Sequence, residues 1–192
     1  MKKSKKLSLI GILGGFLLVV SIAYAGVLSY YGKIVGTVNV QPPIFYADFT
    51  NMSTGWKKLS INALPTRTGE VTIIDSNSFA FHTESLGITS FYAANWNFFV
   101  KAKVSSPPKA LYLELWTIDP SNGDLLSKIC EKSVSITSNE YDIYSTTCTP
   151  GQFALSSSDG LAYVIRGAAA PTVNYTIDVD SVGSTRIEVS PA

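Results

Sequence analysis

The 192-residue chain holds one histidine, two cysteines and two methionines, and charged residues make up only 15% of it. With His82 as the sole histidine, every Ser-His-Asp arrangement would depend on that one position. The sequence contains no G-x-S-x-G elbow, no H-E-x-x-H pair and no Gly-rich phosphate loop. His82 lies in FAFHTESL, where alternation sets it opposite Phe79 and Phe81, and it reads as a surface strand histidine rather than a base. These absences argue against an enzyme, and no catalytic residue, resident metal or cofactor is expected. After the first 25 residues nothing carries the period of a helix and nothing repeats.

What is present begins with MKKSKK, a basic stretch, followed at residues 7–25 by an uncharged apolar run that ends in AYA. That is the form of a secretory signal with an A-x-A cleavage site, and it predicts a mature chain starting at Gly26. The run is also long enough to serve as an uncleaved anchor, and membrane contact is expected only through this segment. Removing it takes away Lys2, Lys3, Lys5 and Lys6, which leaves 11 basic against 14 acidic groups. A mature net charge of about −3 is not that of a nucleic-acid protein. The expected organisation is a signal peptide at 1–25, an N-terminal strand at 26–41 and one domain at 42–192.

Short alternating runs separated by turn residues fill the rest. PPIFYADF, KKLSIN, VTIID and FAFHTE come first, with two prolines breaking the chain ahead of them. In FFVKAKV, Phe98, Val100, Ala102 and Val104 point one way, and in ALYLELWTID, Leu111, Leu113 and Leu115 oppose Tyr112, Glu114 and Trp116. Val173, Tyr175, Ile177 and Val179 alternate in the same manner within TVNYTIDVD. The fold class this predicts is all-β: an antiparallel β-sandwich, a jelly roll in its strand rhythm, preceded by a signal helix.

Cys130 and Cys148 in an exported chain read as a disulfide. If ICEKSVSIT and YDIYSTTC form a hairpin centred on Asn139, the two fall opposite each other as a cross-strand bridge. Asn51 and Asn174 each begin an N-x-S/T acceptor for N-glycosylation. Asp178 and Asp180, with Asp159 or Asp48, are the nearest approach to a hard-cation site, but a solvated strand face explains them better. Tyr92, Trp96, Phe99, Tyr112, Trp116, Tyr141 and Tyr144 could offer flat apolar faces on which a sugar stacks, although such rings also fill sandwich cores. The strand succession of the C-terminal half resembles that of jelly-roll carbohydrate-binding modules.

The opening stretch SIAYAGVLSYYGKIVGTVNVQPP raises a separate question. Ile34, Val38 and Val40 share a face of an extended segment that gains main-chain hydrogen bonds only by joining a sheet, its own or a neighbour's. A basic leader, a Gly-containing apolar run ending in SIAYAGVLSYYG and an immediate β-rich domain resemble the camelysin/TasA-like exported filament proteins, including archaeal bundling-pilus subunits. That resemblance implies a jelly-roll subunit of a secreted, cell-surface filament of biofilm-matrix type, assembled head to tail with itself. The polymerising strand would use Val27, Leu28, Tyr30, Tyr31, Ile34, Val38 and Val40. The alternative is a monomeric secreted or cell-surface jelly-roll module that binds carbohydrate through exposed aromatics.

Overall fold

The computed structural model describes residues 42–87, 89–168 and 173–191. The proposed polymerising strand at 26–41, with Val27, Leu28, Tyr30, Tyr31, Ile34, Val38 and Val40, lies outside the described residues, as does the signal segment. No helix occurs among the described residues, and hence none that is long and apolar enough to cross a membrane.

Thirteen strands follow in chain order: β1 (Ile44–Asn51), β2 (Lys57–Ile61), β3 (Gly69–Ile74), β4 (Ser78–His82), β5 (Thr89–Phe91), β6 (Ala94–Val104), β7 (Lys109–Asp119), β8 (Asp124–Ile136), β9 (Asp142–Cys148), β10 (Phe153–Leu155), β11 (Gly160–Gly167), β12 (Asn174–Val179) and β13 (Arg186–Pro191). Eight of them form two antiparallel four-stranded layers. One runs β3-β12-β6-β9 and the other β4-β11-β7-β8. Numbered among those eight in chain order, the layers read 1-8-3-6 and 2-7-4-5, which is the jelly-roll connection. The sequence expectation of an all-β jelly-roll sandwich is met.

The alternation noted in the sequence sets the layers face to face. Phe98, Val100 and Ala102 from β6 and Leu111, Leu113 and Leu115 from β7 are fully buried between them, with Tyr163, Ile165, Tyr175 and Ile177 from the neighbouring strands. Each Val, Leu, Ile or Phe side chain among them contributes roughly 1.5–3 kcal/mol by leaving water. The remaining strands close one corner. β1 lies between β13 and β2, β13 extends the first layer along β6, and β2 meets β4 in the one parallel pairing among the described residues. A small β5–β10 ribbon caps one end of the core, where the Phe91 and Phe153 rings stack at 5.0 Å and both contact Trp96.

The cysteines are bonded, but not across a hairpin. β8 pairs with β7 and β9 pairs with β6, so the chain from 137 to 141 passes from one layer to the other instead of turning back along its own sheet. Cys130 faces Leu115 and Cys148 faces Trp96, both on inward positions, with Cα atoms 6.5 Å apart. The bridge therefore staples the two edge strands of opposite layers. Alternation alone cannot tell the two arrangements apart, because either one puts both cysteines on the apolar side.

Candidate functional site

His82 is where the structure departs furthest from the sequence expectation. It does point away from Phe79 and Phe81, yet it is fully buried, because the β1–β2 connection folds over this part of the layer. Its Nδ1 lies 2.8 Å from the Thr83 carbonyl, which can only accept, so Nδ1 carries the proton. Nε2 then accepts from Thr54 Oγ1 at 2.7 Å. A hydroxyl donating to an imidazole is the beginning of a nucleophile–base pair. Here the imidazole is oriented by a backbone carbonyl instead of a carboxylate, and His82 is closed off from solvent. The pair anchors the β1–β2 connection, and that anchoring matters for the cleft described below.

The acidic candidates for a cation are occupied by the protein itself. Lys101 Nζ sits 2.7 Å from Asp178 Oδ2 and 3.1 Å from Asp180 Oδ2, and Asp180 also accepts from the Ser184 backbone and hydroxyl. The hydrogen bond to Asp178 raises the Lys101 pKa against a smaller desolvation effect, with Asp180 adding to it. Asp48 is buried and accepts from the backbone N–H and hydroxyl of both Thr50 and Thr66 at 2.6–2.9 Å. Burial works to raise its pKa, and these four bonds outweigh that and bring it down to about 2. No group of acidic, histidine and cysteine side chains among the described residues is arranged to hold a metal.

The aromatic residues do not gather on one platform. Trp96 is in the core and Tyr144 packs against it. Phe99 lies on the outer side of β6 beneath the Arg186 guanidinium at 4.2 Å, Tyr141 lies under Lys103 at 4.2 Å, and Tyr92 projects from the turn before β6. Tyr112 and Trp116 share the outer side of the second layer. There Glu114, with its side chain 3% exposed, accepts from Trp116 Nε1 at 2.6 Å and from Arg166 Nε at 2.9 Å, and Lys128 stands 3.7 Å away. Arg166 stacks on Tyr112 at 4.4 Å and Lys128 lies over Trp116 at 5.1 Å. A sugar approaching either ring would compete with a cation already placed there.

An open cleft lies elsewhere, at one end of the sandwich. Four connections converge there: β1–β2, β4–β5, β7–β8 and the β10–β11 loop. They enclose an open cleft of about 710 Å³ lined by Asn51, Met52, Ser53, Glu84, Ser85, Asp119, Pro120, Ser121, Ser157 and Ser158. Its geometry is held by short local bonds. Asp119 accepts from the Ser121 backbone and hydroxyl at 2.9 and 2.6 Å, and those bonds hold its carboxyl below the usual range. Ser85 Oγ donates to the Ser157 carbonyl at 2.7 Å and ties two of the loops together. Gly160 allows the β4–β5 loop to sit close, since a Cβ there would meet Thr83 Oγ1 at 2.8 Å. On the fourth side the His82–Thr54 bond fixes the β1–β2 connection.

Of these residues the sequence reading singled out only Asn51, as a glycan acceptor. The signal for the rest was visible as NMS, ES, DPS and SSS, the polar ends of four separate strands. Nothing in the sequence says which four strand ends meet. Asn51 and Asn174 are both exposed, and a glycan on Asn51 would stand at the mouth of the cleft.

No family model and no curated protein matches the chain. Among solved structures, a CocE/NonD family hydrolase from Staphylococcus aureus superposes with a TM-score of 0.60 at 8% identity, over 81% of this chain and 37% of that one. An aminopeptidase from a marine sediment Thaumarchaeota archaeon superposes at 0.56 and 8% identity, over 76% of this chain and 36% of that one. The CBM22-1 xylan-binding domain of Paenibacillus barcinonensis Xyn10C aligns over 79% of this chain and 97% of that one, at 16% identity, but its TM-score of 0.34 is too low to establish a shared fold. The chain spans little more than a third of the hydrolases it resembles, and identities this low carry the β-sandwich fold and nothing of their chemistry.

Proposed function

We propose that the domain is a non-catalytic binding module that takes a polyhydroxylated ligand, a saccharide, in the cleft at the end of the sandwich. The observation that carries this reading is the lining itself. Five serines and an asparagine supply hydroxyl and amide groups able both to donate and to accept, and Met52 and Pro120 supply apolar patches for the faces of a pyranose ring. The cleft is shallow and open, which suits one or two units of a chain that continues on either side. An exported, cell-surface location agrees with the disulfide and with the form of the leader.

The filament reading rests on residues 26–40, outside the described residues, and neither the sandwich nor its neighbours adds support for it. The aromatic face of Tyr112 and Trp116 is the less favoured saccharide site because of the cations over its rings. Filling the cleft with Ser53→Trp should abolish retardation of the protein on polysaccharide-containing native gels, while Trp116→Ala should leave it intact. The reverse pattern would move the site to the sheet face.

A further inference from the structure

The lining carries two carboxylates, Glu84 and Asp119, and no lysine, arginine or histidine. A third carboxylate, Asp159, stands close enough to Asp119 to repel it electrostatically, and it is held by the Ser156 backbone and the Ser158 hydroxyl. Lys57 lies over the Phe49 ring and bonds Asn51 Oδ1, which sets one cation at the rim against these three carboxylates, and Lys58 lines the adjoining cleft with Leu59, Ser60 and Ile61. Glu84 is exposed on the β4–β5 loop and belongs to both clefts. A neutral sugar can donate hydroxyls to these carboxylates but leaves their charge unbalanced, and an acidic sugar would be repelled by them.

Resting on the saccharide reading of the same cleft, we infer that its ligand is an amino sugar carrying a free, protonated amine, a glucosamine-type unit. The ring hydroxyls meet the serines, and the ammonium group donates charge-assisted hydrogen bonds to Glu84 and Asp119. An N-acetylated unit of the same shape has no charge to offer to the two carboxylates. Selection therefore falls between glucosamine and N-acetylglucosamine polymers, in favour of the deacetylated form.

The test uses the full chain and three short probes of matched length: a β-1,4-glucosamine oligomer, its fully N-acetylated counterpart and a galacturonic acid oligomer, compared by calorimetry. The expected result is that the glucosamine oligomer binds about tenfold or more tightly over the N-acetylated one, on the order of one charge-assisted hydrogen bond. Glu84→Gln combined with Asp119→Asn should erase that preference without lowering the melting temperature, because asparagine can still accept from Ser121. Equal affinity for the glucosamine and N-acetylglucosamine oligomers, or tighter binding of galacturonate, would overturn the inference and leave the saccharide reading standing. Binding of none of the three would overturn both. A preference that persists in the double variant would also overturn it, since the charge would then reside elsewhere.

Discussion

At the scale of single residues, buried charge is what this chain spends most carefully. Asp48 is held ionised by four hydrogen bonds, and its depressed pKa makes it a source of acid sensitivity. A carboxylate whose folded pKa is lowered contributes stability that is fully present above its unfolded value near 3.8 and is lost as pH falls through the folded value of about 2. The contribution is roughly 2 kcal/mol. Asp48→Asn should therefore lower the urea midpoint at neutral pH and flatten its decline between about pH 4 and 2. An unchanged pH profile would show that the bonds seen here do not act on stability. Glu114 and Glu131 provide a matched comparison, since both contact Arg166 and Lys128 but only Glu114 is buried. Glu114→Ala should cost about 2–3 kcal/mol by leaving half-buried cations without their partner, and Glu131→Ala less than about 1 kcal/mol. Equal losses in urea titrations would remove burial as the explanation. His82 shows the limit of reading residues singly: its face on β4 was legible from alternation, but its burial depends on a loop 28 residues earlier that places Thr54 over it.

At the scale of elements, the strands with one wet face were the legible ones. β6, β7 and β12 could be read because inward and outward residues differ in kind, with Phe98, Val100 and Ala102 set against Phe99, Lys101 and Lys103. In β11 alternation does not reveal the facing, since Ala162 and Val164 are buried on the outer side as well, beneath Trp56 and Trp116. β5 and β10 were missed because three residues are too few to show a period. The disulfide partners were legible from their count, whereas the layers they join were not. As an inter-layer staple closing 18 residues of chain, the bridge should contribute about 3 kcal/mol. Cys130→Ser with Cys148→Ser should lower the melting temperature clearly. Hydrogen exchange in that variant should rise first in β8 and β9, the edge strands it joins, while β7 and β11 stay protected. Uniform loss of protection would mean that the bridge supports the whole sandwich and is not confined to one edge.

At the scale of the molecule, the jelly roll brings four polar connections to one end and leaves the aromatic rings distributed over both outer faces. That distribution favours the end cleft over the outer sheet face as the proposed saccharide surface. The sequence made the aromatic residues conspicuous and the serine-rich turns inconspicuous, because rings announce a function individually and hydroxyls do so only when several loops converge. The central claim is that the end cleft is the binding surface. Its most direct test is a backbone amide NMR titration of the chain with soluble oligosaccharides. The account predicts that shift changes concentrate at residues 51–53, 84–85, 119–121 and 157–158, with the amides around Tyr112, Trp116 and Arg166 unmoved. Changes centred on those three residues, or none anywhere at saturating sugar, would contradict it.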